Sequence, residues 1–495
     1  MPNLSNFFQN LSNTFVVFIG FAFFFLIASI VWIAIKDRFQ EKHSLRRNYP
    51  VLARFRWLFE YLGHFFHYYM VSGDREDKPF NKVERTYAYK SAKGNNRNEA
   101  FGSTLDLKDM DFAFVNSQFP YSGEQKLPNE IVYGKRTKNP YTSGSRINIS
   151  AMSYGALSDV AVLSLSQGAK MGGFLMNTGE GGLSKFHING GADIIYQIGT
   201  AKYGCSNEDL TLNPERLKKL ASNAQIKMFE IKLSQGAKPG KGGILPKNKV
   251  TKEIAEARGI PVGEASISPN AHKEIKNVND LVEFISRVKI ITEKPVGFKL
   301  CLGNINQFDE IINAFKSKIM ELEDKGENAD HYYPDFITID SADGGTGAAP
   351  LAHMDNMGMT LKEALPSISQ ILNKYNLKND IKVIASGKLI TPSAAGWAFA
   401  QGADAINIGR GFLFSLGCIQ ARLCNKNKCP TGITTHKKKY TKGLVPENKS
   451  IRVMQYHKHL TEDIMGIAHS CGVSSFDLLT KQHIRNVKID INNIH

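Results

Sequence analysis

Short apolar runs alternate with helix-spaced segments over most of the chain after Arg146. Strands joined by helices pack side by side as parallel units, so the alternation predicts an α/β fold. Eight runs qualify as strands, which predicts a (β/α)8 TIM barrel. A doubly wound open sheet is the alternative, but the glycine fingerprint expected after its first strand is missing. The predicted strands are Ile147–Ala151, Phe174–Asn177, Met228–Leu233, Ala265–Ser268, Val296–Leu300, Phe336–Asp340, Val383–Ala385 and Ala405–Ile408. The predicted helices include Ser158–Met171, Val278–Ile290, Leu361–Tyr375 and Pro392–Gln401.

Near the start of the chain, Thr14–Ile35 is a run of 22 residues without a charge. At 1.5 Å per residue, a helix of this length spans the ~30 Å hydrocarbon core of a bilayer. Five Lys or Arg residues lie at positions 36–47, whereas residues 1–13 contain none. The positive-inside rule then predicts a single membrane pass with the rest of the chain in the cytoplasm. A signal peptide is the alternative, but its charges should precede a shorter apolar run.

The composition shifts along the chain predict four parts. These are a transmembrane helix (14–35), a membrane-proximal N-terminal subdomain (36–145), the barrel (146–433) and a basic helical C-terminal extension (434–495). Val51–Met70 mixes aromatic and basic residues, and is either an amphipathic helix on the bilayer or a helix packed on the barrel. The formal net charge is +16. No zinc finger, helix-turn-helix or aromatic-interleaved basic stripe is present, so the charge favours a membrane surface over nucleic acid.

Three of the six cysteines, Cys418, Cys424 and Cys429, lie within twelve residues. Three thiolates converging from a loop can hold an iron–sulfur cluster. Zinc is an alternative, but it prefers four ligands in two short pairs. Inert thiols are another, although they usually lie in buried strands and not in a loop rich in Asn and Lys. The other three cysteines are far apart, which argues against a secreted disulfide framework.

Glycine-rich and charged stretches follow several predicted strands. Barrel enzymes carry their chemistry at the C-terminal ends of strands, so we expect these stretches to face one site. Glycines allow a phosphate or a flat ring to approach the backbone closely, and Arg410 adds charge. A phosphate cradle beside a redox cluster indicates FMN exchanging electrons with iron. The stretches are Asn177–Gly182, Lys232–Gly243, Lys299, Asp340–Gly347, Ser386–Lys388 and Gly409–Gly411.

These stretches resemble the synthase domain of the glutamate synthase family, over about Arg146–Ile433. The similar motifs occur in the family's order. They are AMSYGALS at 151–158, NTGEGG at 177–182, IKLSQGAKPGKGGILP at 231–246, SISPNAH at 266–272, DGGTGAAP at 343–350 and the cysteine segment.

The resemblance implies reduction of 2-iminoglutarate, formed from 2-oxoglutarate and ammonia, to L-glutamate. Reduced FMN would supply the hydride and be recharged through a 3Fe–4S cluster on the three cysteines. The implied catalytic and substrate-binding residues are Glu180, Lys232, Gln235 and Lys238, and Lys202 is a weaker candidate in the segment that touches FMN. Lys299, in mid-barrel, suits the flavin N1–O2 edge. Gln197 matches a family FMN contact, although Tyr196 stands where the family has lysine. The expected FMN contacts are Ala151, Met152, Ser153, Gln197, Lys299, Gly344, Gly345, Gly387, Gly409, Arg410 and Gly411.

Several family features are missing from the sequence. The residues before Arg146 leave no room for the family's N-terminal glutaminase domain, the C-terminal β-helix has no counterpart, and there is no dinucleotide fingerprint. We therefore expect a partner, either ferredoxin or an NAD(P)H-oxidising subunit, to supply electrons. Two rival functions stay open. One is a flavoenzyme acting on another amino or oxo substrate, and the other is a non-catalytic electron-transfer or redox subunit of a membrane complex.

Overall fold

The computed structural model describes residues 2–124 and 126–486 of the chain. Eight parallel strands close into a barrel in which each strand pairs with its sequence neighbour and the last pairs with the first. The predicted (β/α)8 barrel is therefore confirmed. Its strands are β1 (Ile147–Ile149), β2 (Met176–Asn177), β3 (Ile194–Ile198), β4 (Ile226–Lys232), β5 (Val296–Leu300), β6 (Phe336–Asp340), β7 (Lys382–Ser386) and β8 (Ala405–Ile408).

Two of the predicted strand assignments differ from the structure. The prediction missed β3, whose five residues are all buried, because Tyr196 and Gln197 interrupt its apolar pattern. It also placed Ala265–Ser268 in the barrel, which is wrong. Within that run, Ser266–Ile267 pairs antiparallel with Ile244–Leu245 in a separate two-stranded sheet, and Ile267 is 64% exposed. The count of eight was correct only because these two errors cancel.

A packed apolar layer closes one end of the barrel. It combines residues near the start of six strands, or just before it, with Ile131 and Tyr133. These two residues belong to the strand Ile131–Tyr133, which pairs antiparallel with Tyr141–Ser143. This plug fills the N-terminal end, so the C-terminal end is left for polar side chains. The barrel residues of the layer are Leu175, Ile195, Met228, Phe336, Ile384 and Ala405.

Helices cover the outside of the barrel and begin at polar caps. Ser158, Asn277 and Thr391 each accept a hydrogen bond from a backbone N–H in the first turn of the helix that follows. The four helices predicted by name are confirmed within two residues. The helices from residue 82 onward are Lys82–Lys93, Asp159–Gly172, Lys185–Gly190, Pro214–Ala221, Lys252–Arg258, Val278–Thr292, Ile305–Asp324, Leu351–Asn356, Leu361–Lys374, Pro392–Ala400, Arg410–Leu416, Lys438–Thr441 and Pro446–Ser470.

The described part of the segment after the barrel is mostly helical and ends in a short strand. Pro446–Ser470 packs on Asp159–Gly172, where a Cβ on Gly168 would lie 2.5 Å from Val453. A final strand, Ile484–Asn486, pairs antiparallel with Phe112–Phe114. Residues 487–495 of the predicted extension lie outside the described part of the chain.

Residues 1–81 form a compact unit of their own, and the barrel belongs to the unit that begins at Lys82. The first unit contains the helices Pro2–Phe39, Ser44–Asn48 and Leu52–Phe66. Asn13–Phe39 is long and apolar enough to cross a membrane, with a mean hydropathy of 2.8, although a signal sequence has the same properties. Both hydrogen bonds from the Arg54 guanidinium to the Asp37 carboxylate measure 2.7 Å, which ties the third helix to the end of the first.

Candidate active site

A buried ion pair lies at the C-terminal end of the barrel. Lys232, the last residue of β4, places its Nζ 3.1 Å from Oε2 of Glu180, which follows β2. Two glycines leave room for this carboxylate: a Cβ at Gly199 would lie 2.7 Å from the Glu180 Cβ, and a Cβ at Gly243 would lie 2.6 Å from Oε1. The backbone around Glu180 therefore fits its side chain closely on two sides.

The loop after β4 extends this pair into a polar cluster. Lys232 Nζ donates to Gln235 Oε1 at 2.6 Å, and Gln235 Nε2 donates to Thr346 Oγ1 at 3.1 Å. Lys238, 7% exposed, donates to the Gly242 carbonyl at 3.1 Å. All four residues predicted to be catalytic thus lie within one connected group of contacts and charges.

The protonation of this cluster follows from burial and charge. Burial acts to raise the pKa of Glu180, but Lys232, Lys238 and Arg258 outweigh it, so the pKa of this carboxyl is lowered. Burial lowers the pKa of Lys232; Glu180 opposes this shift, and Lys299 adds to it. Burial and the charge of Lys232 lower the pKa of Lys238. The group therefore combines an ionised carboxylate with lysines that release protons more readily than usual.

Lys299 is a nearly buried cation to which no described residue supplies a side-chain partner. It lies on β5 directly beside Lys232 in the strand register and is 5% exposed. Its ammonium makes no hydrogen bond or ion pair with any residue in 2–124 or 126–486. A charge that is largely removed from water and has no counter-ion is costly. The position next to a second buried lysine is therefore suited to an anionic ligand.

Two residues before Lys232, Glu230 connects β4 to three other strands, β2, β3 and β6, and the sequence prediction missed it. The side chain is fully buried. Its Oε1 accepts from Asn177 Nδ2 at 2.8 Å and from Gln197 Nε2 at 2.6 Å, and its Oε2 accepts from Thr338 Oγ1 at 2.6 Å. The predicted FMN contact Gln197 is held in place by this carboxylate. A charged residue in the middle of the apolar strand IKMFEIK was the available signal.

The glycine loops after β6, β7 and β8 come together on the opposite side of the barrel mouth. A Cβ on Gly344 would lie 4.0 Å from the Gly387 Cα, and one on Gly345 would lie 2.7 Å from Arg410 Nε. Arg410 Nη2 donates to the Thr346 carbonyl at 2.6 Å, so the arginine bridges two of these loops. Four of the predicted phosphate and ring contacts are thus neighbours.

The loop after β1 reaches the same region. A Cβ on Gly409 would lie 3.7 Å from Met152 Sδ, and one on Gly179 would lie 2.6 Å from the Ser153 backbone N. Ala151 is half-buried beside these two residues in the chain. The Ala151–Ser153 segment therefore joins the glycine loops to the loop that carries Glu180.

Two further candidates have contacts of a different kind. A Cβ on Gly411 would lie 2.1 Å from the Tyr456 hydroxyl, so the side of this glycine that lacks a side chain faces the helix Pro446–Ser470. Lys202 is fully buried in an ion pair with Glu274, with Nζ 2.7 Å from Oε2, which is a structural role. In the glycine loop after β6, Asp343 is paired as well: its Oδ2 lies 3.2 Å from Lys388 Nζ.

Arg258 is a further residue that the sequence prediction did not include. Its guanidinium donates to Ser266 Oγ at 2.8 Å and to the Tyr154 carbonyl at 3.2 Å. It is 6% exposed and adds positive charge at Glu180. It follows the glycine-rich loop by fifteen residues, so no local motif marked it.

The three cysteines of the predicted cluster lie near one another and are not in disulfides. Cys418 is within electrostatic reach of both Cys424 and Cys429. Burial raises the pKa of Cys418 to about 11. Burial acts to raise the pKa of Cys429 as well, but hydrogen bonds from Thr431 and Thr434 lower it overall. Within residues 2–124 and 126–486, no group of three or more His, Cys, Asp or Glu side chains is arranged to hold a single metal ion.

Hydrogen bonds attach the cysteine segment to the loops of the barrel mouth. Asn427 Nδ2 donates to the Asn248 carbonyl at 3.2 Å, and Lys249 Nζ donates to the Cys424 carbonyl at 3.1 Å. His436 Nε2 lies 2.9 Å from the Gly155 carbonyl oxygen. The loop that begins at Lys232 therefore ends against the cysteines.

Comparisons with known proteins agree with these motifs. The family profile described as the conserved region in glutamate synthase matches residues 100–474. The glutamate synthase large subunit-like protein YerD of Bacillus subtilis (strain 168) is 36% identical over 92% of this chain and 92% of its own length. The archaeal glutamate synthase (NADPH) of Methanocaldococcus jannaschii is 33% identical over 77% of this chain and 69% of its own length.

Among solved structures, a mutant flavocytochrome b2 with benzoylformate aligns over 87% of this chain and 86% of its own, with 14% identity and a TM-score of 0.47. Similarity at that level says nothing about cofactor or substrate. The family match covers more than half of the chain, and the bacterial relative is similar along nearly all of its length. On this evidence the chain belongs to the glutamate synthase family.

Proposed function

We propose that the chain is an FMN- and iron–sulfur-dependent oxidoreductase that reduces 2-iminoglutarate to L-glutamate. The observation that carries this proposal is the group of nearly buried lysines at the barrel mouth, Lys232, Lys238 and Lys299. The carboxylates that act on Lys232 in the opposite direction are those of Glu180 and Asp340. The surplus of positive charge suits a substrate that has two carboxylates.

The residues of the mouth fit FMN. Lys299, a 5% exposed cation that no described residue pairs with, suits the electron-rich N1–O2 edge of the ring. Gln197 lies on β3, where it is bonded to Glu230 of β4. Arg410 and the loops of Gly344 and Gly387 suit the phosphate. When bound, FMN would supply the hydride that becomes the Cα hydrogen of the product.

The thiol segment fits an iron–sulfur cluster. Its donor set is three cysteines that influence one another electrostatically, and the buried cation Lys249 lies next to them. A cluster holds its ligand sulfurs further apart than a single ion does. Three thiols without single-ion geometry are therefore compatible with it. The cluster would be held by Cys418, Cys424 and Cys429 and would carry electrons.

The side chains around the substrate have separate tasks. Lys238 and Lys232 bind and orient carboxylates, while Gln235 fixes the Lys232 ammonium through its Oε1. Lys232 Nζ can hold a proton and deliver it to the substrate nitrogen, because burial lowers its pKa. Glu180 is its counter-ion and keeps that charge in place when no substrate is bound.

Electrons would come from a partner. Between Asp404 and Glu447 the chain has eight Lys or Arg residues and no carboxylate side chain. Lys426, Lys428 and Lys437–Lys439 in this stretch are exposed around the cysteines. Such a surface supports docking of an acidic electron carrier, ferredoxin-like or part of an NAD(P)H-oxidising subunit. The apolar helix Asn13–Phe39 supports anchoring in the membrane with the barrel on the cytoplasmic side.

The cofactor part of the proposal is tested by replacing Cys424 with serine. We expect Cys424→Ser to lose the iron-dependent absorbance and most of the bound iron, while flavin stays bound, because the cysteine segment and the flavin residues are different groups. Iron and flavin per chain are measured on the purified protein. Cys471→Ser, on a buried cysteine outside the segment, is the matched control and should retain both. Wild-type iron content in Cys424→Ser would remove the cluster from the proposal.

The substrate part is tested separately. Flavin-loaded protein is supplied with a chemical reductant, 2-oxoglutarate and ammonia, and L-glutamate is measured. A titration with 2-oxoglutarate alone should shift the flavin spectrum. If the protein binds both cofactors but forms no glutamate, the result would favour the rival function, a flavoenzyme that acts on another amino or oxo substrate. A flavin spectrum that does not change when 2-oxoglutarate is added would favour the second rival, a non-catalytic electron-transfer subunit.

A further inference from the structure

Lys249 is a buried cation in contact with the cysteine segment, and it has no role in the proposed binding of substrate or flavin. It ends a short 3-10 turn, Lys247–Lys249, at the far end of the loop that begins at Lys232. The residue is 3% exposed. Its Nζ donates to the backbone carbonyl of Cys424 at 3.1 Å and lies 3.5 Å from that of Ala156.

The charge of Lys249 lacks a carboxylate counter-ion. Across residues 2–124 and 126–486 it makes no ion pair, and its hydrogen bonds go to carbonyl oxygens alone. The charged groups that act on it are Cys424, Cys429 and the like-charged Arg258. A buried ammonium with only carbonyl partners is unfavourable unless negative charge lies nearby. As thiolate ligands of a cluster, Cys424 and Cys429 would supply that negative charge.

We propose that Lys249 is a positioning residue for the iron–sulfur cluster: its ammonium fixes the backbone of Cys424 and supplies the positive charge that makes the cluster easier to reduce. This inference rests on the proposed cluster. Three thiolates bring negative charge into a partly buried site, and reduction adds one more negative charge. A fixed cation beside the thiolates stabilises the reduced state more than the oxidised one, so it raises the reduction potential.

The same residue joins the two functional regions of the molecule. Lys232 and Lys249 are the two ends of one loop, and Asn248 is bonded to Asn427 within the cysteine segment. Asn427 is itself fixed, since its Oδ1 accepts from Thr435 Oγ1 at 2.8 Å. The cation beside the cysteines is therefore held at a defined place relative to the substrate lysines and does not depend on a flexible surface side chain.

The experiment compares Lys249→Met, which removes the charge, with Lys249→Arg, which keeps it at any accessible pH. Lys247→Met is the matched control, because Lys247 lies in the same short turn but is exposed. Iron and flavin per chain and thermal unfolding are measured first. Then a redox titration, followed by the electron paramagnetic resonance signal of the cluster, gives its midpoint potential.

We expect Lys249→Met to make the cluster at least tenfold harder to reduce at a given ambient potential, equivalent to about 59 mV for one electron. Lys249→Arg and Lys247→Met should stay close to the wild type. Loss of iron from folded Lys249→Met, with retention in Lys249→Arg, also supports the proposal. An unchanged midpoint in iron-containing Lys249→Met would overturn it, as would loss of iron from both Lys249 variants with the fold intact. Absence of iron from the wild type would instead remove the proposed cluster itself.

Discussion

Lys232→Ala is expected to lower turnover of 2-oxoglutarate plus ammonia by about 10²–10³-fold while flavin remains bound. Lys232 Nζ is the atom that contacts both Glu180 and Gln235, so its loss removes a substrate cation and the proposed proton carrier together. Steady-state rates and flavin absorbance are measured on the same sample. Lys227→Ala is the matched control. It lies on the same strand but at the plugged end of the barrel, and we expect wild-type rates from it.

Loss of Lys232 also leaves the Glu180 carboxylate short of its nearest counter-ion. Removing one partner of a buried pair costs about 3–5 kcal/mol of unfolding free energy, and here less, since Lys238 and Arg258 also act on Glu180. The double variant Lys232→Ala with Glu180→Gln removes both charges. We expect it to regain stability without regaining turnover. Full activity in Lys232→Ala, or recovery of turnover in the double variant, would contradict the assigned role.

Glu230→Met is expected to lower the unfolding free energy by about 3–6 kcal/mol and to weaken flavin binding. The methionine has a similar length but leaves three buried donors, on Asn177, Gln197 and Thr338, without their acceptor. The flavin effect follows because Gln197 loses the group that orients it. Denaturant unfolding and flavin titration measure the two quantities.

Glu230→Gln is the matched variant for this prediction. Its carbonyl oxygen can still accept from both amides, and its NH₂ can donate to the Thr338 hydroxyl, which also accepts. We expect a smaller loss of stability and flavin affinity near that of the wild type. Equal stability of Glu230→Met and the wild type would show that this network does not hold the strands together.

The barrel could be predicted from the sequence because its signal is local. Apolar strands such as Val296–Leu300 and Phe336–Asp340 stand out between amphipathic helices and were located to the residue. The strand Ile194–Ile198 was missed because it contains Gln197. A polar residue is tolerated in a buried strand only when it has a hydrogen-bond partner there. The partner of Gln197 is Glu230, 33 residues away in the sequence.

The candidate site was predictable to the same extent. Residues within continuous motifs, such as Glu180 and the Lys232–Lys238 loop, could be found from the chain itself and lie together in the fold. Residues whose role depends on distant contacts could not. Lys249 meets Cys424 across 175 positions of sequence, and no spacing rule connects the two. The sequence also could not show that the Cβ-free side of Gly411, within a glycine motif, packs against Tyr456.

The most direct test of the central claim is the flavin content of the purified wild-type protein, measured after release by denaturation and followed by titration of FMN into the stripped chain. The account predicts about one FMN per chain and saturable rebinding that Lys299→Met weakens, because the Lys299 ammonium at the barrel mouth is assigned to the ring. A colourless protein that releases no flavin and rebinds none would contradict it.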